Sequence, residues 1–312
     1  MSVIEVQAPG LLTTVQDLGR EGFGPLGVSP SGAADKISLR IGNRLLGNDQ
    51  SAPALEMTLL GGTFAFPDGA VIALAGSDFG ATLEERPVEL WRAVEAKPGE
   101  VLRVGPTRSG ARCYLCVQGG IEARDFLGSA STHLLSGLGG QDGRALKKGD
   151  LLKTGPTENS FRVRKLAPAA RERLAPRRVL RVTPGPQSDW FSEAARQLFY
   201  SSTYRVAEES NRMGIRLEGE PVPSMASGEM ISEGVSLGAV QVPEGGKPII
   251  LFVEQQTTGG YPKIANVISA DFHSLGQLRP RDEIRFELLD MEMARRLLME
   301  QEELLAADNL IV

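Results

Sequence analysis

Cysteine and histidine are nearly absent from this 312-residue chain, which has two of each. A zinc site or a Ser-His-Asp triad would therefore have to use His133 or His273, and neither lies in a recognisable motif. Cys113 and Cys116 spell C-x-x-C inside RCYLCVQGG, which alternates and branches like a strand. Residues three apart on a strand face opposite sides, so two buried thiols are expected, with no dithiol and no bound metal. No apolar run approaches the roughly 20 residues of a membrane span. The opening MSVIEVQAPG has neither a basic nor an apolar leader segment, so a cytoplasmic location is expected. There is no excess of positive charge either: the formal charge of -5 and pI near 5.4 argue against nucleic acid or an anionic membrane as partner. Neither G-x-x-x-x-G-K-[ST] nor G-x-G-x-x-G occurs, so nucleotide binding by this chain alone is unsupported. Any catalysis must rest on carboxylates, amides, hydroxyls and Arg or Lys.

Glycine (36) and proline (19) are plentiful, and they punctuate short apolar runs at Ala70 to Ala75, Cys113 to Val117, Val179 to Val182 and Ile249 to Val253. Short strands at close spacing predict a mainly β protein of barrels or sandwiches, with few helices. One helix is expected from Ala33 to Leu46, capped by Ser31 and stopped by Gly47, with Ile37, Ile41 and Leu45 on its inner stripe. A second is expected from Asp189 to Phe199, with Phe191, Ala194, Ala195 and Leu198 inward, and a third, acidic, from Leu289 to Ala307. The length favours two domains. Arg162 to Arg181, with eight basic residues and one acid, marks the boundary. The expected division is an N-terminal β domain over 1–165, a basic linker over 166–178, a C-terminal β domain over 179–288 and the acidic helix over 289–312. A recurring phrase, KPGEVLRVG from Lys97, KKGDLLKTG from Lys147 and RPRDEIRFE from Arg279, suggests related halves. The third copy lacks the glycine, so its turn cannot be of the same positive-φ type without strain.

Four segments can carry chemistry. EQQTTGGYPK, from Glu254 to Lys263, reads as a hairpin turning at Gly259-Gly260 that gathers Gln255, Gln256, Thr257, Thr258, Tyr261 and Lys263 at a sheet's end. Such a surface would hold a small amide or carboxylate, though a tight hairpin with incidental polar residues reads the same. In TVQDLGR, Gln16, Asp17 and Arg20 cluster after the opening strand, and Lys36, Arg40 and Asn43 share one helix face that is either structural or functional. From Gln118 to Arg144, glycine pairs permit close backbone approach, Ser129, Ser131 and Thr132 supply hydroxyls, and Arg144 is the candidate carboxylate clamp. Arg212, Glu233 and Gln241 are placed to converge with Gln256 and Lys263, the alternative being a buried Arg-Glu pair that holds the barrel.

Taken in order, TVQDLGR, SGAADKISLRIGNRLLGN, LGSAST, NRMGIRLEG, SEGVSLGAVQVP and QQTTGGYPKIA resemble the biotin-dependent carboxyltransferase, or allophanate hydrolase subunit 2, family over roughly residues 3 to 288. That family includes the C component of bacterial 5-oxoprolinase. The resemblance implies a pair of cyclophilin-like β-barrels. It further implies a complex with two partner subunits, a kinase-inhibitor-like B component and an A component, that opens 5-oxo-L-proline to glutamate using ATP. It also implies two alternatives: a carboxyltransferase acting on urea or a related amide, or a non-catalytic regulator of a kinase-inhibitor-like partner. Biotin on this chain is not expected, since no A-M-K-M sequence occurs. The chain departs from the family pattern at Ala130 and Gln255, where relatives commonly carry arginine, and at Asn211 and Glu254, where they carry aspartate. Residue types, rather than the resemblance, suggest roles for an amide-opening reaction. Gln256, Thr257 and Thr258 would hold the lactam amide. Lys263 or Arg144 would stabilise the oxyanion, and Glu233 or Asp17 would handle protons.

Overall fold

Alternating apolar residues form the strands on which both halves of the protein are built. The computed structural model describes residues 2–157, 162–225 and 230–312. It divides into two units: Met1–Arg20, Ser31–Leu174 and Leu305–Val312 form the first, and Glu21–Pro30 with Ala175–Leu304 form the second.

In the first unit, Val3–Ala8 sits in a six-stranded sheet between Leu151–Lys153 and Thr63–Ala65. A five-stranded sheet has Arg112–Val117 at its centre, flanked by Ala54–Thr58 and Ala70–Gly76. Every residue of Arg112–Val117 is buried, which explains its continuous apolar composition. Cys113 and Cys116 are both buried and unpaired. Cys113 lies in the apolar core with Val6, Phe64 and Leu102. Cys116 faces the helix Lys36–Leu46, where its Sγ lies 3.9 Å from the Leu39 carbonyl. That helix carries Ile37, Leu39, Ile41, Leu45 and Leu46 buried, and Gly47 stops it at φ 72°. Its start differs from expectation. Asp35 is the cap, accepting from the Ser38 amide at 2.9 Å, whereas Ser31 donates its hydroxyl to the Thr132 carbonyl. Within the basic segment expected as linker, Pro168–Arg173 is a short helix, with proline in its first turn where a missing N–H costs nothing.

The second unit is a closed seven-stranded barrel. Its order is Val179–Pro184, Lys263–Val267, Ala239–Gln241, Ile249–Leu251, Gly214–Glu218, Tyr204–Val206 and Glu283–Leu288, and the last strand closes in parallel on the first. The helix expected from Asp189 is displaced: Ser188–Trp190 makes only a 3-10 turn, and the α-helix runs Glu193–Ser201 with Ser192 as cap. On this helix Ala195 and Phe199, four residues apart, are buried and Ala194 is exposed. Phe199 stacks on Phe286 at 4.5 Å, joining helix to barrel. The acidic helix runs Met291–Ala306, with only Leu305 buried.

The recurring phrase is one turn made three times. Glu100, Asp150 and Asp282 each accept, at 2.8, 2.8 and 2.7 Å, from the amide three residues earlier, at Lys97, Lys147 and Arg279. The residue before the acid has positive φ in all three: Gly99 at 85°, Gly149 at 89° and Arg281 at 71°. The third turn is thus of the same kind despite lacking glycine, and Arg281 bears the strain that such a turn was expected to cost.

Candidate functional site

The Glu254 to Lys263 segment is not a hairpin. Neither Gly259 nor Gly260 has positive φ, and Thr258–Gly259 pairs with the distant Glu233–Gly234 as a two-stranded strap, Glu233 opposite Gly259. The chain turns earlier, where the Gln255 amide donates to the Phe252 carbonyl at 2.8 Å. The local glycine pair was the visible signal, and a pairing across some two dozen residues outcompeted it.

The strap brings together most of the polar residues expected to converge. Lys263 lies on the barrel strand Lys263–Val267, and Gln241 is its register partner on the neighbouring strand. The Lys263 side chain is 3% exposed, and its Nζ lies 2.6 Å from Oε1 of Glu233, whose side chain is 43% exposed. The contact uses one oxygen of the glutamate, so the ammonium, with three N–H groups, has donor capacity left over. Gln187, absent from the expected set, completes the cluster. Its Nε2 donates to the same Glu233 oxygen at 2.8 Å, and its Oε1 accepts from the Lys263 amide at 3.2 Å. Gly185 allows this approach, because a Cβ there would overlap the Lys263 carbonyl oxygen. These contacts with Lys263 and then Gln187 hold the Glu233 carboxyl below its usual titration range.

Gly259 serves the same close packing. A Cβ there would meet Gln256 Nε2 at 2.5 Å and Gln241 Nε2 at 3.0 Å, so two amide donors face one point of backbone. Gln241 is buried, and its Nε2 has no hydrogen-bond partner among the described residues. A buried, unmatched donor beside a buried cation is suited to an oxygen ligand: a carbonyl, an oxyanion or a carboxylate. Thr258 and Tyr261 are exposed and Thr257 half-buried on the same segment. Arg212 is paired with another carboxylate. It forms a buried pair with Glu254 at 2.5 Å, so the alternative of an internal Arg-Glu pair is realised with a different glutamate. Gln255 is also buried.

In the first unit, TVQDLGR and LGSAST are stitched together. Asp17 is buried and accepts from Ser129 Oγ at 2.6 Å, the Ala130 amide at 2.6 Å, Ser131 Oγ at 2.5 Å and the Gly19 amide at 2.7 Å. Arg20 donates to the carbonyls of Phe126 and Ser131 and lies over the Phe126 ring. Gln16 donates to Thr14 Oγ1 and the Thr132 carbonyl, each at 3.0 Å. On the helix, Asn43 is buried and donates to the Ala52 carbonyl at 2.7 Å, and Arg40 donates to Gln50 Oε1 at 2.8 Å. The carboxylate that Arg144 clamps is the protein's own Asp150, in bidentate fashion at 2.8 and 2.9 Å. His133 and His273 are both buried. Among the described residues no group of three or more His, Cys, Asp or Glu side chains could hold a metal ion, and no helix is long and apolar enough to cross a membrane.

A sequence profile of the carboxyltransferase domain, subdomains A and B, matches residues 26–288. The chain belongs to this family. It is 39% identical to the C component of 5-oxoprolinase from Escherichia coli over 96% of each chain, and 37% identical to that of Haemophilus influenzae over 91% of this chain and 90% of the relative. Among solved structures, the K. lactis urea amidolyase is similar with a TM-score of 0.90 and 33% identity, over 99% of this chain but 21% of that one. Family membership places the strap, Lys263 and Gln241 inside the matched region.

Proposed function

We infer that this chain is the C component of an ATP-dependent 5-oxoprolinase complex, helping to hydrolyse 5-oxo-L-proline to L-glutamate. The observation that carries the reading is the near end-to-end similarity to two bacterial chains of that name, in a protein whose barrel holds a buried ammonium beside one unmatched amide donor. The A component and the kinase-inhibitor-like B component are the partners. ATP acts at the level of the complex, where it supplies the driving force for opening an unstrained lactam. Within this chain, Lys263 and Gln241 are the donors for a substrate oxygen that gains negative charge as water adds to the carbonyl. Gln256, with Thr257 and Thr258, borders the same strap and orients the ring amide. Glu233 is ionised at neutral pH, so it can accept a proton only after parting from Lys263. Asp17, Arg20 and Arg144 are committed to internal partners, and we assign them to the fold.

Purified chain mixed with the A and B components, 5-oxo-L-proline and ATP should form glutamate. Lys263→Gln should lower the rate at least about a hundredfold while the complex still assembles, as loss of one oxyanion donor does elsewhere. No glutamate from the wild-type mixture overturns the reading, and full activity in Lys263→Gln reduces this chain to a scaffold. The similarity to urea amidolyase supports a second reading, a carboxyltransferase acting on urea or a related amide. Urea-stimulated decay of carboxybiotin in the presence of this chain tests it.

A further inference from the structure

The counter-ion of the buried Lys263 ammonium comes from outside the barrel's own strands. Glu233 stands on a strap only two residue pairs long, a Cβ added at its neighbour Gly234 would meet nothing within 4 Å among the described residues, and its side chain remains nearly half exposed. A cation buried to 3% exposure and paired with so accessible a carboxylate is an unequal couple. Lys263 is fixed by its barrel strand and by Gln187 at its amide, whereas Glu233 is held by the short strap and by the two contacts at its carboxylate. Two donors, Lys263 Nζ and Gln187 Nε2, converge on one oxygen, Glu233 Oε1, at 2.6 and 2.8 Å. Gln241 Nε2, buried and without a partner among the described residues, belongs to Lys263's register partner. The cluster therefore offers more donors than the one glutamate uses.

We propose that Lys263, Gln187 and Gln241 form a seat for a small carboxylate, and that Glu233 occupies it with its own carboxylate until a ligand carboxylate displaces it. The identity of the natural occupant rests on the hydrolase reading, since 5-oxo-L-proline carries one carboxylate; the seat itself does not. An internal carboxylate on a short tether competes at an effective concentration of order millimolar, and the free seat is only a fraction of the whole. Removing the competitor's charge should expose the donors without removing any of them.

Formate is the probe, being the smallest carboxylate, titrated calorimetrically into the full chain and followed by 5-oxo-L-proline. Glu233→Gln and Glu233→Ala should each bind formate about tenfold more tightly than the wild-type chain. Lys263→Gln should abolish binding in the wild-type and Glu233→Ala backgrounds alike, with melting confirming that the barrel is folded. Equal or weaker formate binding in both Glu233 variants overturns the proposal, as does persistent binding in Lys263→Gln. Tighter formate binding without any response to 5-oxo-L-proline leaves the seat standing and counts against the hydrolase reading, so the two failures are told apart.

Discussion

Arg281 is one of seven non-glycine residues with positive φ among the described residues. Its φ of 71° repeats what Gly99 and Gly149 do without strain in the sister turns. An L-residue in this region costs about 1–2 kcal/mol, and glycine loses about 0.5–1 kcal/mol through its freer unfolded chain. Arg281→Gly should therefore raise stability by roughly 0.5 kcal/mol. The exposed ion pair to Glu208 that it removes contributes little. Gly99→Ala should have the opposite sign, costing about 1 kcal/mol, because nothing crowds the position and conformation alone is tested. Urea unfolding of both variants reads the two signs, and equal signs would contradict the shared-turn account. Asp17 lies at the other extreme, with four donors on one carboxylate. Asp17→Ala strands buried N–H and O–H groups, so unfolding free energy should fall by about 3 kcal/mol, a loss visible in the same titration. A drop below about 1 kcal/mol would mean that water replaces the carboxylate.

Between elements, close approach is set by glycine as much as by large side chains. Gly42 lets the helix Lys36–Leu46 settle on the sheet: a Cβ there would lie 2.5 Å from Cys116 Sγ and 3.3 Å from the Ala75 Cβ. Alanine gains about 1 kcal/mol of helix propensity at such a site, yet the overlap should outweigh it, and Gly42→Ala should lose about 2 kcal/mol. Adding Cys116→Gly should recover part of that loss, and strict additivity of the two changes in melting experiments would refute the contact. This geometry also shows what could be read in advance. The stripe Ile37, Ile41, Leu45 and the stop at Gly47 are local, and they were legible because helix periodicity is local. The cap moved to Asp35 because Ser31 is drawn to the Thr132 carbonyl, a contact about a hundred residues away that no spacing reveals. The strap hid for the same reason. Gly259-Gly260 looks like a turn until Glu233–Gly234 supplies a partner. Gln187 gave no signal at all, since a single glutamine in TPGPQSDW acquires meaning only when two strands bring it to Lys263 and Glu233.

At the scale of the whole chain, sequence order and structural membership part company at the carboxyl end. The acidic helix follows the last barrel strand in sequence, but Leu305–Val312 belongs to the first unit. Leu305 and Leu310 are each 1% exposed there. The backbone ties are specific: the Lys165 amide donates to the Val312 carbonyl at 2.8 Å, the Val312 amide returns to Lys165 at 2.9 Å, and the Ala167 amide donates to Leu310 at 2.9 Å. Arg44, in the last turn of the first unit's helix, donates to the carbonyls of Leu305 and Ala307. Two leucine side chains buried at about 2 kcal/mol each make these eight residues worth about 4 kcal/mol to the first unit. Ending the chain after Leu304 should therefore destabilise that unit by this amount. The strands Lys263–Val267 and Ala239–Gln241, whose hydrogen bonds lie within the barrel, should be unaffected. Hydrogen exchange followed by mass spectrometry separates the two. Peptides covering Lys165 to Ala167 and Lys36 to Leu46 should exchange faster in the shortened chain, while barrel peptides keep their protection. Faster exchange in the barrel alone, or none at Lys165 and Ala167, would place the carboxyl end with the second unit after all.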